Sequence, residues 1–261
     1  NKIKIMAIWR FPYYDINKGI DWKKKKDRFD WFSDMELIEQ DEIWHSEGNV
    51  QIHTKLVCES LINLPEFKIL NEQDKHILFT SALMHDIEKR STSVKVEIDG
   101  EIRIKAPRHA QKGEFTARTI LYKEFNVPFL IREHICKLVK LHGIPLWKDD
   151  DIEKEVISAS LDLNLRFLSM LSKADVLGRD CGDNSKLLEK IEYFGLVANE
   201  LDILDSKYIF DDKLHRHSYL SSNNDLTYLP FDDSKFEVHM VCGIAGSGKD
   251  TYIKKELYNY E

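Results

Sequence analysis

The feature that most limits how this chain can fold is a helical repeat of apolar residues running from 51 to 206, cut at intervals by helix breakers. Apolar side chains return every three or four residues in 53–64, 76–87, 115–125, 129–141, 152–161, 163–177 and 187–203. That spacing gives each segment one apolar stripe, which must be buried against another helix. The breaks fall at Asn126-Val127-Pro128, Gly143-Ile144-Pro145 and Gly182-Asp183-Asn184-Ser185, residues that punctuate helices. The pattern predicts a mainly α protein built as a compact helical bundle. One interruption has a period of two: 93–98 and 101–105 alternate around Asp99-Gly100, a pair suited to the type I′ turn of a β-hairpin. The hairpin is either a surface decoration or a flap that faces a substrate.

Composition narrows the class. Hydrophobic residues make up 43% and charged residues 32% of 261, close to the globular average, so disordered, collagen-like and coiled-coil chains are excluded. This length allows one large core, or a main domain with a small appendage. No run approaches the roughly 18 apolar residues of a membrane span. The apolar stretch in 1–9 is too short for a signal peptide, and the missing initiator Met suggests a start inside a longer protein. Cys58, Cys136, Cys181 and Cys242 are widely spaced, without a Cys-x-x-Cys pair, which favours a reducing cytosol over a disulfide framework or zinc knuckle. With 38 Lys plus Arg against 45 Asp plus Glu, the net charge is −7. That argues against a bulk nucleic-acid coat, but not against a local grip on one RNA or DNA end. The first forty residues are rich in Trp and Phe and include the run Lys23 to Lys26, a solvated face or a nucleic-acid contact.

The C-terminal part has a different organisation. Polar turn-formers at 221–225 and 230–233 suit a linker. Segment 236–242 then reads as a buried strand, leading into Gly243-Ile244-Ala245-Gly246-Ser247-Gly248-Lys249-Asp250-Thr251 and a helix from about Asp250. Strand, glycine loop and helix in that order read as a P-loop. Backbone N–H groups around Gly246, Ser247, Gly248 and Lys249 would wrap phosphates, with Lys249 on their outer oxygens. Asp250 occupies the usual Ser/Thr position, and Thr251 is the candidate for the Mg side. The domains expected are an N-terminal extension (1–43), a helical domain (44–225) and the start of a P-loop domain (226–261).

The candidate chemistry lies in His53, His85-Asp86, His109, His142 and Asp175, all on or at the ends of expected helices. Facing helices of a bundle can pool imidazoles and carboxylates into a metal site. In Ala82-Leu83-Met84-His85-Asp86-Ile87 an apolar helix runs into two polar residues. Burying such a group unpaired costs about 2–7 kcal/mol, which a bound cation would offset. Mixed His/Asp ligation suits Mn, Fe, Co, Ni or Zn rather than Ca. His134 is read as structural.

The order His53, His85-Asp86, Asp175 resembles the HD superfamily of metal-dependent phosphohydrolases, and His109 and His142 match the additional histidines of its two-metal members. Trp44-His45-Ser46-Glu47-Gly48-Asn49-Val50-Gln51-Ile52-His53-Thr54 looks like the start of the HD module in CCA-adding tRNA nucleotidyltransferases, with Asn49 where that family tends to carry Asp. Asp86-Ile87-Glu88-Lys89 resembles its Asp-x-x-Lys, Glu88 replacing a common Gly. The resemblance covers about Trp44 to Arg179. It implies two divalent ions bridged by Asp86, with Lys89 neutralising phosphate; if His109 and His142 bind no metal, they would hold phosphate or protonate the leaving oxygen. His45, Arg108 and Lys112 are further candidates for contact with substrate phosphate.

The loop is similar to small-molecule and polynucleotide kinases ending Gly-Lys-x-Thr. An HD module followed by such a loop resembles bacterial RNA end-healing enzymes. That resemblance implies removal of a 2′,3′-cyclic or 2′-phosphate from RNA ends, 5′-OH phosphorylation with ATP and Mg, broken tRNA or other RNA as partner, and an RNA ligase acting next. The carboxylate and arginine groups of a kinase do not follow the loop, so this chain is expected to lack kinase activity. Rival readings are an HD phosphohydrolase of free nucleotides, a cyclic-nucleotide phosphodiesterase, and a degenerate HD scaffold that only binds.

Overall fold

The computed structural model describes residues 8–12, 14–16, 19–23, 28–147, 151–222 and 225–258. Lys24 to Lys26 of the lysine run lie outside them. The chain is mainly helical and separates into two compact units, Asn1–Ile209 and Phe210–Glu261. The division falls ahead of the expected linker and leaves helix Lys213–Ser221 in the second unit. Among the described residues, no helix is long and apolar enough to cross a membrane.

The first unit is organised around helix Glu72–Met84, in which every residue from His76 to Met84 is buried. A helix apolar on all sides must be enclosed. Helices Val50–Asn63, Phe129–Leu141 and Leu165–Leu177 pack against it. Asn49, Asn71 and Asn164 cap three of the helices, each side chain accepting a first-turn N–H, which satisfies donors that would otherwise be orphaned. The periodic stretch at 115–125 belongs to a longer helix, His109–Lys123, whose first turns are too polar to show the stripe. After the break at Gly143 a single helical turn, Ile144–Trp147, forms. Aromatic residues of the N-terminal segment close the far side of the core: Tyr14 stacks on Phe79 at 4.0 Å, and Phe11 lies 5.2 Å from Phe125.

The hairpin pairs Val94–Ile98 with Glu101–Lys105 in antiparallel register, and both Asp99 (φ 54°) and Gly100 (φ 82°) take the left-handed conformation of a type I′ turn. Its base is anchored. Asp41 accepts from Arg103 Nε at 2.6 Å and from the Ile104 amide at 3.1 Å.

In the second unit Asp212 caps helix Lys213–Ser221, accepting from the His215 amide at 2.7 Å. The strand expected at 236–242 does not form. Phe236, Val238 and Met240 are exposed, and no described segment pairs with theirs. A strand exists only through ladder partners, and the described residues of this unit supply none. Helix Lys249–Glu256 does form, with Gly248 in the left-handed conformation at its N-cap.

Two helices approach unusually closely at Gly178, where an added Cβ would lie 2.7 Å from the Val57 backbone nitrogen. Gly178→Ala should therefore cost about 1–3 kcal/mol in thermal or urea unfolding, because backbone must move. Gly195→Ala, with nothing within 4 Å of its Cβ, should instead stabilise helix Ser185–Glu200 by about 0.5–1 kcal/mol. His134 stacks on Phe167 at 5.5 Å with a buried, unpartnered Nε2, and burial lowers its pKa to about 4. The unfolded chain takes up that proton near pH 6.5, so stability is complete above that pH and falls as the pH drops toward 4. His134→Phe should remove on the order of 2 kcal/mol of acid destabilisation, read as a flatter Tm profile between pH 4 and 7.

Candidate metal centre

The central helix stops at Met84, one turn earlier than its apolar repeat suggests, and His85-Asp86 lie in the turns that follow. The His85 ring helps to set this geometry, since its Nδ1 lies 2.7 Å from the carbonyl of Ala82. His109 and His142 make the same contact, Nδ1 to Ala106 O at 2.8 Å and Nδ1 to Val139 O at 2.8 Å. A carbonyl only accepts, so all three rings carry the proton on Nδ1 and turn a bare Nε2 lone pair inward.

Those lone pairs meet carboxylates. Asp86 Oδ2 lies 3.2 Å from His85 Nε2 and 3.7 Å from His53 Nε2, while its Oδ1 lies 3.2 Å from His109 Nε2 and 3.9 Å from His142 Nε2. Asp175 Oδ1 is 3.1 Å from His53 Nε2 and 4.0 Å from His85 Nε2. Besides the group His45/Glu47/His53, two central ligand sets result, His53/His85/Asp175 and Asp86/His109/His142, each with donor atoms within 4.8 Å of one another. Asp86 presents one oxygen to each. His85 Nε2 is buried without a hydrogen-bond partner. Acceptors facing acceptors in a dry site require a proton or a cation between them, so these groups could hold a metal ion.

The electrostatics agree. Burial works against ionising Asp86, yet the polar and charged groups packed round it, His85 and Lys89 foremost, hold its carboxyl well below the usual range. Asp175 overcomes the same burial cost through Arg179 and His53. Burial, with charge repulsion from the neighbouring imidazoles acting in the same direction, pushes His142 down to about 3, which keeps it neutral. Burial lowers His85 too, but Asp86 outweighs it and raises the ring overall. Without a metal, His85 is the ring that a proton would occupy.

The sets sit at the inner end of a cleft of about 670 Å³, open solvent at its mouth included, lined by Asp86, His109, His142, Asp175, Arg179, Lys89, His45 and the hairpin residue Ile104 among others. The hairpin base thus forms one wall, and the turn residues Asp99 and Gly100 are not part of the lining. Lys89 Nζ donates to Gln40 Oε1 and sits against Asp86 Oδ2, both at 2.8 Å. His45 bonds Glu47 at 2.8 Å. The cleft lining includes neither Arg108, which is exposed at the start of its helix, nor Lys112, which donates to Ser91 at 2.7 Å and pairs with Glu88. His109 faces inward, whereas Lys112, one turn further on, has 53% of its side chain exposed and is held outside the cleft by Ser91 and Glu88.

Two residues of the site escape a reading by motif. Glu47 Oε1 lies 2.8 Å from both His45 Nδ1 and His53 Nδ1. The His53 contact is an off-line ion pair rather than an aligned hydrogen bond. It leaves His53 Nε2 directed at the carboxylates. Glu47 sits in a turn, where no helical spacing ties it to His53. Arg179 grips Asp175 through Nη2 at 2.8 Å and Nε at 3.2 Å; its i,i+4 offset from Asp175 was a legible signal.

In the second unit Gly246 (φ 76°) and Gly248 (φ 84°) adopt left-handed conformations, and Lys249 Nζ donates to the carbonyls of Gly243 and Ile244, both at 2.9 Å. Ser247, Asp250 and Thr251 are exposed around this turn. Comparison with known protein families and with curated proteins finds no match to the chain.

A carboxylate behind a ligand histidine holds its ring and raises its basicity. Glu47→Gln should therefore weaken Mn or Zn binding about 10- to 100-fold in calorimetric titration, with the helical circular dichroism unchanged.

Proposed function

We propose that the chain is a metal-dependent phosphoesterase of the HD type, acting on 2′,3′-cyclic phosphate or 2′-phosphate at RNA ends. The observation that carries this reading is Asp86, buried with one oxygen toward His53 and His85 and the other toward His109 and His142. Such an arrangement suits two cations sharing one carboxylate. The His/Asp donor set favours Mn, Co, Ni, Fe or Zn. Bound there, such ions polarise a phosphoryl oxygen and lower the pKa of water.

The protein groups have separate tasks. His53, His85 and Asp175 would hold one ion, and His109 and His142 the other. Lys89 neutralises negative charge beside Asp86, and Arg179 locks Asp175 in place. His109, with 24% of its side chain exposed, is the ligand ring most open to the cleft. The RNA substrate and the ligase that would follow rest on the family resemblance. In the second unit, the turn over Gly246, Ser247, Gly248, Lys249, Asp250 and Thr251 is proposed to bind the phosphates of ATP with Mg, as the start of a kinase module.

A specific observation favours free nucleotides as a second reading. The groove beside the cleft is lined by Glu39, Asp41, Glu42 and Glu101 against Lys95 and Arg103. Both cations are already paired, Lys95 with Glu39 and Arg103 with Asp41. A polyphosphate backbone gains little along such a surface.

Phosphate release from RNA bearing a 2′-phosphate, compared with release from deoxynucleoside triphosphates in Mn, Co or Ni, separates the two readings. RNA-selective turnover is expected. Asp86→Ala should lower turnover by more than about a hundredfold and reduce metal content while the helices persist. Lys249→Ala should leave it unchanged. Full activity in Asp86→Ala would overturn the assignment.

A further inference from the structure

The mouth of the cleft carries two tryptophans that the metal chemistry does not use. Trp44 and Trp147 both line it, and they are 42% and 54% exposed. Their ring centroids are 6.1 Å apart at 88°, an edge-to-face pair. Leaving two indoles in water forfeits the burial that Trp31 obtains elsewhere in this unit. Adjacent exposed aromatic surface of this kind marks a binding site more often than an isolated exposed side chain does.

Both rings are held in place. Trp44 belongs to the turn closed by its amide on Asp41 O at 3.1 Å, and Asp41 is in turn clamped by Arg103. Trp147 ends the single helical turn after His142, with its amide on Gly143 O at 3.1 Å. Gly143 also makes room for the indole, since a Cβ there would lie 3.1 Å from Trp147 Cδ1. Arg179 lies over the Trp147 ring at 5.6 Å while gripping Asp175. The indole is therefore one side chain away from a carboxylate of the metal site.

We propose that Trp44 and Trp147 form an aromatic corner for the nucleobase of the nucleotide whose phosphate is hydrolysed, one indole stacking on the face of the base and the other meeting its edge. The inference rests on the phosphoesterase reading and adds its specificity: a base-bearing phosphoester is preferred over a base-free one. Stacking on an indole tolerates any base, because every base has a π face. The acidic groove beside the cleft discourages a second nucleotide along that side.

The test compares adenosine 2′,3′-cyclic phosphate with a base-free methyl riboside 2′,3′-cyclic phosphate. Trp147→Leu and Trp44→Leu should raise KM for the adenosine substrate about tenfold, with kcat little changed. The same variants should leave kcat/KM for the base-free ester unaltered. Trp147→Phe, which retains a flat ring, should recover most of the loss. Equal losses on both substrates, or an unmoved KM, would overturn the proposal. Calorimetric binding of adenosine 2′-monophosphate to the full chain gives a readout that needs no turnover. Tryptophan-dependent binding without hydrolysis supports the aromatic corner and defeats the phosphoesterase reading. Hydrolysis with binding indifferent to both tryptophans does the reverse.

Discussion

The first unit depends on one electrostatic problem and its solution. Two carboxylates, Asp86 and Asp175, are buried at the centre of the bundle among the Nε2 atoms of His53, His85, His109 and His142. In a low-dielectric interior neither carboxylates nor bare imidazole lone pairs tolerate being left unpaired. Lys89 and Arg179 offset part of the negative charge, each from the edge of the cluster. The remainder calls for a proton or a cation between the rings. The backbone contacts of three of the histidines hold their Nδ1 protons outward, so that their Nε2 atoms could hold a metal ion.

The fold delivers these groups through a few close approaches. The central helix carries its apolar surface all round and ends where its polar doublet begins, so His85 and Asp86 emerge into the middle of the bundle. Gly178 allows helix Leu165–Leu177 to come within van der Waals distance of Val57. Val57 stands one turn after His53, and Gly178 follows Asp175 by three residues. The contact therefore lies about one turn from the pair His53 and Asp175, which are 3.1 Å apart.

Around this centre the cleft is asymmetric. One side has the hairpin base and the acidic 39–42 segment, tied together by Asp41 and Arg103. The other has the turn after His142, which carries Trp147. Glu47 stands behind His53 and Arg179 behind Asp175, so a ligand from each helix is backed by an oppositely charged or hydrogen-bonding partner. Such backing orients ligands and tunes their affinity. The exposed tryptophans at the rim, by contrast, are held by backbone contacts and a cation–π stack.

Much of the first unit was legible in the sequence. Period-3.6 stripes marked the long helices, Asp99-Gly100 marked the hairpin, and the polar doublet closing an apolar helix marked the centre of the site. Local pattern was less informative at 109–114, where polar residues hid a helix start, and at 236–242, which read as a buried strand. A strand needs a neighbour, and its absence is not written in the segment itself. By itself the sequence determined which residues could ligate and on which helices they ride, because side-chain chemistry and helical period are local properties. Only the tertiary structure decided that Asp86 faces both ligand sets, that Glu47 and Arg179 stand behind them, and that Arg108 and Lys112 stay out of the cleft. Those outcomes depend on distances between segments far apart in the chain, which packing of the whole core sets.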